Sequence, residues 1–210
     1  NDAALINRLG FNNDGMDAIK NRIKSEGKIG ILGINIGPNK DTKDQKMDFC
    51  QGLKNFFDIA DYITINISSP NTKDLRDFHE KEKLKDLLSS LNKIKNDNKI
   101  KTPLLLKVSP DIEDKHISEI SDLAIENYIS AVVLTNTTNG NRNNLNSKNK
   151  NEEGGLSGEP LHQISTNLIK KFYKQLNGKI PIIGCGGIMN AEDAYLMIKN
   201  GANLVQIYSL

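Results

Sequence analysis

Two hydrophobic periods alternate along the chain. Short apolar runs rich in β-branched residues occur at 30–39 (GILGINIGPN), 62–72 (YITINISSPNT), 103–111 (PLLLKVSPD), 131–138 (AVVLTNTT), 180–188 (IPIIGCGGI) and 204–209 (LVQIYS). Being apolar on both faces and about five residues long, they predict buried parallel strands. Between them the period changes to that of a helix. Leu84, Leu87, Leu88 and Leu91 stand at i, i+3, i+4, i+7 within 83–94, and Ile117, Ile120, Leu123 and Ala124 repeat the pattern within 115–127. Helices are also predicted over 44–57 (Met47, Cys50, Leu53, Phe57), 165–176 (Leu168, Ile169, Phe172) and 191–199, the last closed by Asn200-Gly201. Strict alternation of strand and helix predicts an α/β fold with a parallel sheet.

The choice between an open sheet and a barrel turns on what the strands carry at their ends. Neither GxGxxG nor GxxxxGK[ST] is present, so the common nucleotide fingerprints of open sheets are missing. Nearly every strand instead ends in candidate chemistry: Asn35, Asn66 with Ser69, Lys107, Asn136 with Thr137, Gly186-Gly187 and Tyr208. A (β/α)8 barrel brings all such ends to one face, and this TIM-barrel architecture is the predicted fold for a single domain over 1–210. The segment 139–153 (NGNRNNLNSKNKNEE) breaks the rhythm. It is too polar to pack and predicts a mobile surface insertion, whose glycine-flanked end could close over a ligand.

Composition narrows the function. The 210 residues carry 28 Lys and Arg against 26 Asp and Glu, a formal net charge of +2, which gives no electrostatic signature of nucleic-acid binding. Cys50 and Cys185 stand in no CxxC or Cys/His spacing, so neither a disulfide framework nor a metal site is expected. His79, His116 and His162 lie among polar neighbours in no ligand spacing and are expected on the surface. No run reaches the roughly 18 apolar residues of a membrane helix. The chain opens on Asn1 and stops inside an apolar run, so both ends read as cut.

The string Asn66-Ile67-Ser68-Ser69-Pro70-Asn71-Thr72 is the most informative. Two asparagines and a serine hydroxyl at a strand end supply amide donors and acceptors that suit a planar, uncharged heterocycle, although Ser-Ser-Pro-Asn reads equally as a turn. Lys107 ends a wholly apolar strand, where a lysine either snorkels to the barrel mouth or holds an anion. Gly186-Gly187 leads into a helix near Asn190, a geometry for phosphate or simply a tight turn.

Together with NRLGFNN (7–13), INIGPNK (34–40), LLKVSPD (105–111), LTNTT (134–138), GGLSG (154–158), GCGGI (184–188) and VQIYS (205–209), the string NISSPNT resembles the dihydroorotate dehydrogenase family in order and spacing over nearly the whole chain. The resemblance implies an FMN-containing (β/α)8 barrel that oxidises dihydroorotate to orotate in pyrimidine biosynthesis. In the family a cysteine at the position of Ser69 marks class 1 and a serine marks class 2, so Ser69 implies the class that passes electrons to a membrane quinone. It further implies Ser69 as the base, with Thr72 and Phe11 in its proton relay, and Asn7, Asn66, Asn71, Asn136 and Thr137 around the substrate. FMN would meet Asn35, Asn66, Lys107 and Thr135, with its phosphate at Gly158, Gly186, Gly187, Tyr208 and Ser209. Cys185 reads as a small buried hydrophobe rather than a rival base.

By the same resemblance the chain lacks the first two strands, the C-terminal helix and an N-terminal region through which the protein would associate with a membrane. The mitochondrial inner membrane is the expected location, with a bacterial cytoplasmic membrane as the alternative. Other readings are an FMN barrel of the dihydropyrimidine dehydrogenase or dihydrouridine synthase type, or an inactive ligand-binding fragment; the serine at position 69 weighs against the first.

Overall fold

The computed structural model describes residues 2–39, 41–72, 74–140 and 142–208. The elements in chain order are β1 (Ala4–Asn7), α1 (Met16–Glu26), β2 (Gly33–Ile36), α2 (Gln45–Phe56), β3 (Tyr62–Asn66), α3 (Lys81–Asp97), β4 (Leu104–Val108), α4 (Asp114–Glu126), β5 (Ala131–Leu134), β6 (Gly155–Gly158), α5 (His162–Leu176), β7 (Ile182–Cys185), α6 (Ala191–Lys199) and β8 (Leu204–Gln206). Six strands form one parallel sheet in the order β2-β3-β4-β5-β7-β8, each joined to the next through a helix. All six runs read from the sequence are strands of this sheet, an arc of a (β/α) barrel.

Strand alternation sorts the core into two layers. Ile63, Ile65, Leu106, Val132 and Ile182 pack outward against Leu53, Leu84, Leu88, Ile120 and Phe172 of the helices. The opposite face carries a smaller cluster of Leu105, Ala131, Val133 and Cys185, edged by Tyr62 and Ile183, with no helical residue in it. This is the concave face. The i, i+3, i+4, i+7 leucines of α3 are all buried, and each stabilises the fold by roughly 2 kcal/mol relative to exposure. The Asp44 carboxylate accepts from Met47 N to start α2, and the Asn190 side chain does the same for α6 through Asp193 N.

Several expectations need correction. The antiparallel pair β1–β6, which joins Asn7 to Gly155 and Ala4 to Gly158, is absent from the sequence reading. So is α1, although Met16, Ile19 and Ile23 face the core at helical spacing; its remaining positions are so polar that no residue is fully buried. His79 and His116 are not surface residues: they are 6% and 5% exposed. His116 lies beside Glu80 and Glu119, and His79 is enclosed beneath the loop after β4.

The described residues of the insertion 139–153 are mostly exposed but are tied down by directed hydrogen bonds. Arg142 donates to the carbonyls of Lys150, Glu152 and Gly154, so its guanidinium closes the loop on itself. Asp2 accepts from the backbone of Asn146 and Ser147, Arg8 pairs with Glu152 at 3.1 Å, and Leu145 is buried. Bonds to backbone atoms provide what the missing apolar side chains do not.

Candidate functional site

Parallel strands put their C-terminal ends on one rim, and register aligns the side chains that face inward there. Asn35 pairs with Thr64, which pairs with Leu105, one step below the rim. At the rim Asn66 pairs with Lys107, and Lys107 with Val133, so these share the concave face. Thr135 to Thr138 follow β5, and Gly186-Gly187 follow β7.

Two groups of amides form around Ser69. In the first, the Asn66 side-chain oxygen accepts from Ser68 N at 3.1 Å, Ser68 Oγ at 2.6 Å and Asn136 Nδ2 at 3.3 Å. Asn136 Nδ2 also donates to Ser68 Oγ at 2.9 Å, while its oxygen accepts from Thr137 N at 2.7 Å. With Asn66 held by its oxygen, its NH2 has no protein partner among the described residues. In the second group Asn71 Nδ2 donates to Asn7 O and Asn7 Oδ1, and Asn7 Nδ2 donates to Gly155 O at 3.4 Å. Ser69 sits between them, 7% exposed, its Oγ accepting from Asn71 N at 3.3 Å.

Gly155 makes the close approach of these loops possible. A Cβ there would lie 2.0 Å from Thr137 Oγ1 and 3.0 Å from Pro70, so only glycine lets β6 lie against the loops after both β3 and β5. Beyond Pro70 and Asn71 a cleft of about 740 Å³ opens toward Arg8, Arg142 and Lys150.

The opposite side of the rim suits an anion. Lys107 is half-buried, pairs with no carboxylate among the described residues, and has Cys185 Sγ 4.0 Å from its Nζ. Gly186 and Gly187 have φ of 109° and 74°, and their N–H groups make no hydrogen bond among the described residues. A Cβ on Gly187 would lie 2.3 Å from His162 N, so the turn is pressed onto the start of α5. Backbone donors on a glycine turn and a nearby lysine on the same rim, neither with an acidic partner among the described residues, match the needs of a phosphate and an anionic ring.

The remaining expected residues fall as follows. Thr72 is buried close along the chain to Ser69, but no hydrogen bond joins the two among the described residues. Phe11, at φ 61°, lays its ring against Gly37. Thr135 Oγ1 is buried against Ser165 Oγ at 3.0 Å and Asn136 O at 2.9 Å. Gly158 abuts the β1 backbone, Tyr208 is 93% exposed beyond the β8 edge, and Ser209 lies outside the described residues. Sequence reasoning missed Ser68, the bridge between Asn66 and Asn136, and the pair Arg76–Asp111. A second serine beside Ser69 was a weak signal; an arginine in a charged stretch was none.

A family model described as dihydroorotate dehydrogenase matches residues 1–210. The chain belongs to the dihydroorotate dehydrogenase family. It is 45% identical over 210 residues to a dihydroorotate dehydrogenase (quinone) of Christiangramia forsetii, covering 99% of this chain and 61% of the relative. It is 48% identical over 212 residues to the corresponding protein of Wigglesworthia glossinidia brevipalpis, covering 98% and 63%. A solved dihydroorotate dehydrogenase of Eimeria tenella in complex with ferulenol superposes with a TM-score of 0.92 at 34% identity, covering 99% of this chain and 62% of that one. The chain therefore spans about three-fifths of the length of these relatives. Both curated relatives named here are bacterial, and they lend the mitochondrial expectation no support. No helix among the described residues is long and apolar enough to cross a membrane.

Proposed function

We propose that the chain forms the greater part of the catalytic barrel of a quinone-linked, FMN-dependent dihydroorotate dehydrogenase, oxidising dihydroorotate to orotate for pyrimidine synthesis. The observation that carries this reading is the buried Ser69, set between two asparagine groups on the same rim as a glycine turn and a lysine that pairs with no carboxylate among the described residues. The family match and the names of the relatives support it.

Asn66, Asn136, Asn7 and Asn71 orient the ring edges of the substrate by amide hydrogen bonds, which disfavours analogues that leave them unpaired. Ser69 takes the proton from C5. A serine hydroxyl is a weak base, so its own proton must leave as it acts, and the buried Thr72 with Phe11 screens that route from bulk water. Bound FMN would supply the redox chemistry, taking a hydride from C6 and passing its electrons to a quinone. Gly186 and Gly187 would hold its phosphate through their backbone N–H groups, Gly158, Tyr208 and Ser209 being the further residues expected to contribute, and Lys107 would supply a positive charge to the flavin ring. Asn35, Asn66 and Thr135 would border its ring. Quinone reduction implies contact with a membrane surface; the bacterial relatives make the bacterial cytoplasmic membrane the favoured one over the mitochondrial inner membrane.

The test is anaerobic mixing of the purified full-length flavoprotein with dihydroorotate. Bleaching of the flavin absorbance, followed by recovery on adding a soluble quinone, is expected. Flavin that stays oxidised under excess dihydroorotate rules the reading out.

A further inference from the structure

Arg76 stands in the 3-10 helix Leu75–His79, outside both amide groups, yet its guanidinium touches the loops after three strands. Its Nε donates to Ser68 O at 3.3 Å, one N–H group donates to Thr137 O at 3.2 Å, and the other pairs with Asp111 Oδ2 at 2.9 Å. The two side chains of the ion pair are only 26% and 23% exposed. Ser68 directly precedes Ser69, and Thr137 directly follows Asn136.

We propose that Arg76 is a positioning residue, whose planar fork sets the distance between the base-bearing loop after β3 and the substrate-amide loop after β5, with Asp111 as its anchor on the loop after β4. The proposal rests on the dihydroorotate oxidation read above. Asp111 doubles the hold on the β5 loop, because its carboxylate also accepts from Thr138 Oγ1 and from Asn139 N at 2.9 Å. Its own N–H is fixed by Ser109 Oγ at 3.2 Å, so the anchor is itself tied to the end of β4. A guanidinium presents several donors in one plane at fixed angles; an ammonium in its place keeps the charge and loses the geometry. Misplacing the base by about 1 Å relative to the substrate is enough to lower the rate about 100-fold. Arg76 has no hydrogen bond to Lys107, Gly186 or Gly187, so the residues that would hold the cofactor's phosphate and ring charge do not lean on it directly.

The experiment compares full-length wild type with Arg76→Lys, Arg76→Ala and Asp111→Asn. Three quantities are measured: FMN content, the affinity for orotate from its perturbation of the flavin spectrum, and the rate of flavin reduction by dihydroorotate. In Arg76→Lys, unchanged FMN content is expected, with orotate affinity and reduction rate each about tenfold lower. Added guanidinium ion is expected to restore part of the rate to Arg76→Ala. Wild-type affinity and rate in Arg76→Lys overturn the proposal, as does loss of FMN in step with the rate. If Arg76→Ala fails to fold, Arg76→Lys and Asp111→Asn decide by the same criteria. Wild-type flavin that dihydroorotate does not reduce defeats the functional reading instead.

Discussion

Lys107 and Cys185, on strands separated by β5, meet across the concave face with Nζ and Sγ 4.0 Å apart. The lysine pairs with no carboxylate among the described residues. Lys107→Met is therefore expected to lower the rate of flavin reduction by about 100-fold, the scale of one preorganised electrostatic contact. Cys185→Val, which fills a similar space on the apolar patch with Leu105 and Val133, is expected to keep the rate and change stability by less than about 1.5 kcal/mol. Stopped-flow reduction and thermal unfolding of the two variants check the pair; a Cys185→Val enzyme as slow as Lys107→Met would make the thiol a participant.

Ser69→Ala is expected to retain FMN and orotate binding while losing at least about 100-fold in flavin reduction, the contribution of a positioned base. Its Oγ accepts only from Asn71 N among the described residues, so the alanine breaks one weak bond and leaves both amide groups in place. Ser69→Cys is expected to recover part of the rate with a shifted pH profile, since a thiol gives up its proton more readily. Equal rates for serine and alanine would remove Ser69 from the reaction.

The strands and most of the helices were legible because burial on both faces, or on one, leaves a period in the sequence. Leu84, Leu87, Leu88 and Leu91 announce α3, and LLLKV announces a buried strand with one odd residue. The asparagines stood out because amides at strand ends are unusual among apolar runs. What was not legible depends on contacts distant in sequence. Pairing of Asn7 with Gly155 leaves no period in either segment, and Arg76 reads as one charge among many until the fold brings Ser68, Thr137 and Asp111 around it. His79 is enclosed for the same reason: apart from Phe78 its neighbours in sequence are charged, but its neighbours in space are Ser109 and the Arg76 backbone.

That enclosure has a pH consequence. Burial foremost, then the nearby Arg76 charge, pushes the His79 pKa down from 6.5 to about 4. The neutral ring accepts from Ser109 N, so the folded state resists the proton that the unfolded chain takes up near pH 6.5. Stability is thus full above pH 6.5 and falls as pH drops toward 4, by at most about 1.4 kcal/mol per pH unit from this group. His79→Gln can still accept from Ser109 and is expected to flatten the fall. Thermal unfolding from pH 7.5 to 4.5 checks this; identical slopes for variant and wild type refute it.

The insertion 139–153 offers the last test. A segment this polar holds its shape only through directed bonds, and Arg142 supplies the central ones by donating to the carbonyls of Lys150, Glu152 and Gly154. A hydrogen bond to a charged donor contributes about 1.5–3 kcal/mol, so removing several together outweighs what Leu145 and the Asp2 and Arg8 contacts retain. Arg142→Ala is expected to raise the rate of tryptic cleavage at Lys148 and Lys150 at least about tenfold, with the melting temperature of the barrel little changed, because the loop lies outside both core layers. Lys150, beside the cleft that Pro70 and Asn71 border, would loosen with it, and a rise in the KM for dihydroorotate without a matching fall in kcat is expected. Cleavage as slow as in wild type would mean that the Asp2 and Arg8 contacts hold the loop without Arg142.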